Sequence, residues 1–109
     1  MIISGGVNIY PAEIEGVIGG HPDVVDVAVI GVPNEEFGEE VKAVVVVGER
    51  GEAGPELAAA LTAQCRAELA GYKVPRSVDF ADALPRTGTG KVRKRVLREP
   101  FWEGTDRAI

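Results

Sequence analysis

The sequence predicts an α+β fold, in which a small sheet of about three to five strands is covered by helices. Two runs rich in β-branched residues, Val24–Val32 and Val41–Val47, are typical of buried strands. The segment Pro55–Leu69 has apolar residues four positions apart, as one face of a helix does. A chain of 109 residues suits one compact domain with a modest core, so residues 1–109 are expected to form a single domain.

The first twenty residues predict a short strand followed by a helix. Ile2–Ser4 is the expected strand, and it runs into Gly5-Gly6. The helix is expected to open within Asn8–Glu15, because Pro11 is favoured in a first helical turn and acidic side chains favour the positive end of the helix dipole. Gly19-Gly20 is expected to end this helix.

The remaining elements are a second helix, a further strand and a basic C-terminal helix. Pro55–Leu69 is the second helix, and Gly71 is its expected C-terminal cap. Ser77–Phe80 is the further strand, and Val92–Arg98 mixes basic and apolar residues as a helix does. Leu84–Lys91, between these two, is too rich in Gly and Thr to be regular.

The charge of the chain is unevenly distributed. Residues 1–85 carry 5 basic and 14 acidic residues, whereas residues 86–98 carry 6 basic residues and no acidic one. A short basic segment on an acidic body indicates a local site for something anionic. A general nucleic-acid binder would more often be basic across a whole face.

Several classes of protein are excluded by simple counts. The longest apolar run, around Ala43–Val47, is far shorter than the ~20 residues of a membrane span, and the N-terminus lacks the pattern of a signal peptide. Cys65 is the only cysteine, which excludes an internal disulfide and fits the reducing cytoplasm, where we place the protein. With one histidine, His21, and no His or Cys cluster, no metal site is expected.

The most informative segment is the loop before Lys91. Thr87-Gly88-Thr89-Gly90 can bend sharply, and successive amides in such a loop can face an anion. Lys91 adds a long, flexible positive charge, which suits a phosphate or a developing oxyanion. An exposed lysine on a mobile loop fits the local pattern equally well. The nucleotide-binding phosphate loop is excluded, because it requires four residues between its glycines and Ser or Thr after the Lys.

Two segments together resemble the signatures of adenylate-forming enzymes. Ile2–Glu15 resembles the signature that opens the C-terminal domain of this family, and Leu84–Val92 resembles the signature that holds its catalytic lysine. Alone, Ser4-Gly5-Gly6 would indicate only a tight turn, and Tyr10 before Pro11 only packing. Four shorter matches follow the family's order: His21–Val24, Gly31–Asn34, Phe37–Glu39 and Tyr72–Pro75. The resemblance covers essentially the whole chain, and its Trp-containing tail resembles bacterial fatty-acyl-CoA synthetases.

The resemblance implies the C-terminal catalytic lid of an AMP-forming acyl-CoA synthetase, an acid–thiol ligase. Such an enzyme joins a carboxylic or fatty acid to ATP, releasing pyrophosphate, and then transfers the acyl group to coenzyme A, releasing AMP. By resemblance, Lys91 is the adenylation lysine, and the loop of Thr87, Gly88, Thr89 and Gly90 supports it. The residues implied for the thioester step are Ser4, Gly5, Gly6 and Tyr10.

The resemblance also implies substrates and partners. ATP with magnesium, and coenzyme A, are expected as substrates of the parent enzyme, and none is expected to bind tightly to this chain. The ATP site is expected to lie mainly in a large N-terminal domain, which would be the main partner. The family's hinge residue precedes the segment that begins here at Met1. Because the ATP site is expected in the large domain, the present domain alone is expected to be inactive. No nucleic-acid partner and no membrane span are expected.

Two other functions remain open from the sequence. One is the lid of a peptide-synthetase adenylation domain, which passes its product to a carrier-protein thiol; the absence of a carrier domain after Ile109 and the Trp-containing tail favour the free-standing synthetase. The other is a non-enzymatic module whose Arg86–Arg98 segment binds an anionic partner such as nucleic acid. Binding that weakens steeply with salt and ignores Lys91→Ala would favour the module.

The remaining candidate side chains are interpreted as structural. His21 is expected to cap or pack in a turn, and Cys65 is expected to be buried on a helix face. Phe101 and Trp102 either pack the tail onto this domain or contact the large domain. A run of acidic residues is expected to be solvated surface: Glu35, Glu36, Glu39 and Glu40.

Overall fold

A computed structural model describes residues 1–49 and 51–103, and it confirms the α+β prediction. Five strands form a two-stranded and a three-stranded sheet, and three α-helices and a short 3₁₀ turn at Gly71–Lys73 complete the described fold. The strands and helices, in chain order, are β1 Ile2–Ser4, β2 Val7–Ile9, α1 Pro11–Gly19, β3 Val24–Asn34, β4 Gly38–Val47, α2 Pro55–Glu68, β5 Ser77–Phe80 and α3 Lys94–Trp102.

The three-stranded sheet has the order β3–β4–β5, with β4 in the centre. β3 and β4 are antiparallel and are joined by a tight turn, in which Asn34 Oδ1 accepts hydrogen bonds from the N–H groups of Glu36 (2.9 Å) and Phe37 (2.8 Å). β4 and β5 are parallel, so the chain between them crosses over through α2. The hairpin and the crossover together place β3 at an open edge of the sheet.

Each face of this sheet is covered by its own apolar core. Val29, Val41, Ala43 and Val45 face α1, α2 and the β1–β2 hairpin in the first core. The second core, on the other face, consists of sheet residues and of residues that follow β5: Ala28, Ile30, Val32, Val44, Val46 and Leu84, packed by Val92, Leu97 and Phe101. Burial on both faces explains why β3 and β4 are apolar at consecutive positions rather than at alternate ones.

The outer edge of β3 is satisfied by side chains in place of a further strand. The Val29 N–H donates to Glu15 Oε2 (2.9 Å), and the Val27 N–H donates to Asp26 Oδ1 (3.0 Å). Farther along, the carbonyl of Gly31 accepts a hydrogen bond from Trp102 Nε1 (2.9 Å). Unpaired edge groups invite pairing with another chain, so these contacts both stabilise β3 and protect it.

The start of α1 differs from the prediction. Asn8 and Ile9, the first residues of the segment expected to open the helix, instead belong to β2, which pairs antiparallel with β1, and the helix begins at Pro11. The reason is the turn between the strands: Gly5 and Gly6 have φ angles of 57° and 82°, which fit a two-residue turn of the hairpin type. The end of α1 at Gly19, with Gly20 as its cap, agrees with the prediction.

Other boundaries also differ. β3 continues two residues beyond the predicted Val32, to Asn34. β4 begins at Gly38, three residues before the predicted start, because its first residues pair with the end of β3. α2 ends at Glu68 with an extended Leu69, so the prediction that Gly71 caps this helix was wrong; Gly71 begins the 3₁₀ turn. α3 spans Lys94–Trp102 rather than Val92–Arg98, because Val92 forms an antiparallel bridge with Arg86.

Trp102 packs onto this domain. Its side chain is buried, its indole N–H binds the edge of β3, and the guanidinium of Arg98 lies 5.4 Å from its ring centroid. Phe101 packs against the second core. Of the two interpretations left open for this tail, the structure supports packing onto the domain.

The Trp102 hydrogen bond predicts a measurable loss of stability. Trp102→Phe keeps most of the buried ring but removes the donor to the Gly31 carbonyl, so we expect the free energy of unfolding to fall by about 1–3 kcal/mol. Urea denaturation of the chain measures this difference. Tyr10→Phe, which changes only an exposed ring, is the matched control and should leave stability unchanged. A Trp102→Phe variant as stable as this control would contradict the role of the indole.

The hairpin glycines predict graded effects of alanine substitution. Gly6→Ala meets no atom within 4 Å but forces a side chain to a positive φ, so we expect a loss of roughly 1–2 kcal/mol in the free energy of unfolding. Gly5→Ala should lose more, because its Cβ would also lie 3.1 Å from Phe37 Cδ1. Gly16→Ala, in open space on α1, should instead stabilise the chain. Equal stability of all three variants would refute this account of the turn.

Candidate functional site

The loop that carries Lys91 is closed by its own hydrogen bonds. Gly90 N donates to the Thr87 carbonyl (2.9 Å), and Thr87 N donates to the Lys91 carbonyl (2.8 Å). The Thr87 hydroxyl accepts from Lys91 N (3.2 Å) and lies 2.9 Å from the Thr89 hydroxyl. Gly90 has a φ of 91°, which permits the sharp bend before Lys91. The loop is therefore a defined turn that holds the backbone of Lys91.

The side chain of Lys91 is exposed. Among the described residues, no carboxylate or carbonyl bonds its ammonium group. A Cβ at neighbouring Gly88 or Gly90 would meet nothing within 4 Å, so the surroundings of the loop are open. A fixed backbone with a free cationic tip leaves the ammonium available to an approaching anion.

Half of the basic segment is already neutralised within the domain. Arg86 pairs with Asp26, Lys94 pairs with Glu15 (2.8 Å), and Arg98 lies 3.6 Å from Glu39. In the part of the chain that the structure describes, the basic side chains of this segment without an acidic partner are Lys91, Arg93 and Arg95. The segment therefore offers less free positive charge than its composition indicates.

The β1–β2 hairpin lies against the turn between β3 and β4. Gly5 N donates to the Phe37 carbonyl (2.9 Å), and a side chain at Gly5 would crowd the Phe37 ring. Tyr10, directly before α1, is exposed. An open groove of about 650 Å³ adjoins the hairpin, and six of its lining residues are Ser4, Gly5, Phe37, Arg66, Tyr72 and Arg76. The groove combines an aromatic surface with two cations.

The two candidate elements pack on opposite faces of the three-stranded sheet. Ile2 and Ile9 anchor the hairpin in the first core, with α1 and α2. Leu84 and Val92 flank the Lys91 loop and belong to the second core. The structure therefore does not bring Lys91 together with Ser4, Gly5, Gly6 and Tyr10 in one pocket.

Glu39 is placed differently from the prediction. It was expected to be solvated surface, but its side chain is only 12% exposed. One carboxylate oxygen accepts from the N–H of Ile3 (3.0 Å), and the other lies near Arg98. Glu40 also has a partner, the Asn34 side-chain amide, whereas Glu35 and Glu36 are exposed as predicted. Sequence reasoning missed Glu39 because its partners lie far along the chain.

Two further side chains have the structural roles that were predicted. His21 Nδ1 accepts from the N–H of Asp23 (3.1 Å) and so caps the turn before β3. Cys65 is fully buried, and burial, with a smaller contribution from Glu68, raises the pKa of its thiol above the ordinary value. A raised pKa keeps the thiol protonated, which disfavours nucleophilic chemistry.

Within residues 1–49 and 51–103, no three His, Cys, Asp or Glu side chains converge as metal ligands. Across the same residues, no helix has the length and apolar character needed to cross a bilayer.

Comparison with known proteins gives a family match and close relatives. A model described as the AMP-binding enzyme C-terminal domain matches residues 13–91. A long-chain-fatty-acid–CoA ligase of Mycobacterium tuberculosis, FadD13, is 50% identical over 101 residues, which cover 93% of this chain and 19% of that protein. A feruloyl-CoA synthase of Amycolatopsis sp is 54% identical over 102 residues, which cover 93% of this chain and 20% of that protein.

Solved structures give the same result. An acyl-CoA synthetase of Brucella canis superimposes with a TM-score of 0.89 at 37% identity, covering 94% of this chain and 19% of that one. A fatty acyl-CoA synthetase of Mycobacterium tuberculosis gives a TM-score of 0.81 at 50% identity, covering 93% and 19%. The chain spans about a fifth of the length of these relatives. The resemblance read from the sequence is thus confirmed, and the chain belongs to the family of C-terminal domains of AMP-binding enzymes.

Proposed function

We propose that this chain is the C-terminal catalytic lid of an ATP-dependent acyl-CoA synthetase. The parent enzyme would convert a carboxylic acid, ATP and coenzyme A into acyl-CoA, AMP and pyrophosphate. The observation that carries the proposal is the placement of the Lys91 loop and the β1–β2 hairpin on opposite faces of one sheet. An enzyme with two successive half-reactions can use such a domain twice, once with each face. The names of the relatives, fatty-acid–CoA ligase and feruloyl-CoA synthase, support the reaction class.

In the first half-reaction, Lys91 would stabilise charge on ATP and the acid. A carboxylate oxygen attacks the α-phosphorus, a new P–O bond forms, and the bond to pyrophosphate breaks. Negative charge on the phosphate and on the bridging oxygen increases in the transition state, where a positioned cation is most effective. Because the Lys91 ammonium has no partner among the described residues, it need not break an ion pair to reach this charge.

In the second half-reaction, the hairpin would replace the Lys91 loop at the reacting centre. The thiol of coenzyme A loses its proton and attacks the acyl carbonyl, a C–S bond forms, and the C–O bond to AMP breaks. Gly5 and Gly6 lack side chains, so the turn can lie against a narrow substrate arm. Arg66 and Arg76 in the adjoining groove suit the phosphate groups of coenzyme A.

The proposal requires a second, larger domain. Because the chain spans about a fifth of the length of its relatives, we place ATP and its magnesium mainly in the large N-terminal domain, which would supply the acyl pocket as well. The lid would then reorient between the two half-reactions to exchange its faces. The single buried cysteine suits a cytoplasmic enzyme.

The alternative functions have less support. The relatives and solved structures cited above are named as CoA ligases or CoA synthetases, which favours coenzyme A over a carrier protein as the acceptor. A module that binds a large anion through Arg86–Arg98 is disfavoured, because Arg86, Lys94 and Arg98 contact carboxylates of the domain itself.

The proposed role of Lys91 predicts a selective loss of adenylation. In the full-length enzyme, Lys91→Ala should reduce the rate of ATP–pyrophosphate exchange by roughly two to three orders of magnitude, because one transition-state charge contact is lost. A panel of fatty and aromatic acids would identify the acid class in the same assay. Arg95→Ala removes a second unpaired cation four residues away and should exchange at the parental rate. Exchange by Lys91→Ala at the rate of this control would refute the assignment.

The proposed placement of the ATP and acyl sites in a larger domain predicts that the 109-residue chain is inactive alone. It lacks the acyl and ATP sites that we place in the larger domain, so we expect no acyl-CoA when the pure chain is mixed with acid, ATP, magnesium and coenzyme A. Chromatographic detection of acyl-CoA and AMP measures this, with the full-length enzyme as the positive control. ATP-dependent acyl-CoA formation by the chain alone would overturn the proposal of a missing ATP site.

A further inference from the structure

The Lys91 loop is attached to the sheet through Arg86. Its guanidinium group donates to two acceptors, Nη1 to the Gly90 carbonyl (2.6 Å) and Nη2 to Asp26 Oδ2. Asp26 lies on β3, 60 residues earlier in the chain. Within the described residues, no other polar side-chain contact joins the loop at residues 86–91 to the sheet. Arg86 therefore connects the edge of the sheet to the residue directly before Lys91.

Backbone contacts close the base of the same loop. Arg86 and Val92 form an antiparallel bridge, and Arg93 N donates to the Pro85 carbonyl (2.7 Å). These contacts hold the two arms of the loop together but do not fix the tilt of the loop relative to the sheet. That tilt is set by side-chain contacts. The planar guanidinium suits this task, because its donors are fixed relative to one another.

We propose that Arg86 is a positioning residue for adenylation, and that Asp26 and Arg86 together form a clamp that sets the position of Lys91. This proposal rests on the adenylation role proposed for Lys91. The clamp orients the turn at Gly90, and through it the direction in which the Lys91 side chain leaves the loop. The loop then holds Lys91 in the orientation that contacts the reacting phosphate before the substrate binds. A displacement of about 1 Å at such a contact can reduce the rate as much as 100-fold.

The clamp should affect rate far more than stability. The side chains of Arg86 and Asp26 are 41% and 28% exposed, and ion pairs at such positions contribute little to folding. A structural role for Arg86 would lower the stability of the domain and impair both half-reactions. A positioning role would impair adenylation alone, because the hairpin proposed for the thioester step packs on the other face of the sheet.

The experiment compares half-reactions in the full-length enzyme. Arg86→Met removes both donors, and Asp26→Asn places an amide in the position of the carboxylate. Each should reduce the turnover rate of ATP–pyrophosphate exchange by roughly 10- to 100-fold, with little change in thermal midpoint. Thioester formation from preformed acyl-adenylate and coenzyme A should proceed at the parental rate. Arg95→Met, which removes an unpaired charge from the same segment, is the matched control and should be unchanged in both assays.

A double-mutant cycle tests whether Arg86 acts through Lys91. In a Lys91→Ala background, Arg86→Met should lower exchange less than two-fold, because there is no ammonium group left to position. Additive losses of exchange rate in the double variant would overturn the clamp, because Arg86 would then act independently of Lys91. Parental exchange by Asp26→Asn would also overturn it, because Arg86 would then not need Asp26. Exchange by Arg86→Met at the rate of the Arg95→Met control would overturn the clamp but leave the proposed role of Lys91 intact. Parental exchange by Lys91→Ala would instead remove the proposed function on which the clamp rests.

Discussion

Strand β3 lies at the edge of the three-stranded sheet, so the backbone groups along its outer side have no neighbouring strand to bond among residues 1–49 and 51–103. The carboxylates of Asp26 and Glu15 and the indole of Trp102 bond these groups instead. Each of the three also contacts a basic residue of the C-terminal segment. The pairs are Asp26 with Arg86, Glu15 with Lys94, and Trp102 with Arg98. The side chains that complete the sheet edge therefore also help to attach the Lys91 loop and α3 to the domain.

This arrangement explains part of the uneven charge of the sequence by pairing within the domain. An acidic body and a basic segment are complementary parts of one domain, and their pairing attaches residues 86–98 to α1, β3 and β4. Lys91 is the residue of the loop that this pairing leaves free. A free cation on a fixed loop can interact with an anion at a defined position, whereas a basic segment without internal partners would bind anions with little geometric selectivity.

Strong local patterns were predictable from the sequence, and tertiary contacts were not. The apolar runs in β3 and β4 and the four-residue step of α2 give the correct elements to within a few residues. The β1–β2 hairpin was missed because three residues per strand carry almost no periodicity, although Gly5-Gly6 is a typical hairpin turn. The role of Asp26 depends on a partner 60 residues away, and the role of Glu39 depends on Ile3, 36 residues away, and on Arg98, farther still; no local pattern encodes such contacts. The assignment of Lys91 came from the resemblance, since its local pattern fitted an exposed lysine equally well.

The absence of a side chain at Gly31 has a consequence for how freely this domain can vary. A Cβ at this position would overlap the Glu39 carboxylate and lie 3.3 Å from Ile2 Cγ1, while the carbonyl of the same residue binds Trp102. A flexible carboxylate could usually move aside, but this one is held by the Ile3 N–H and faces Arg98. Ile2 and Glu39 therefore crowd the side-chain position of Gly31, and Trp102 binds its carbonyl. A larger residue there would have to displace the hairpin and the Glu39 carboxylate, and with that carboxylate its contact to Arg98 of α3, so this arrangement favours glycine at that site.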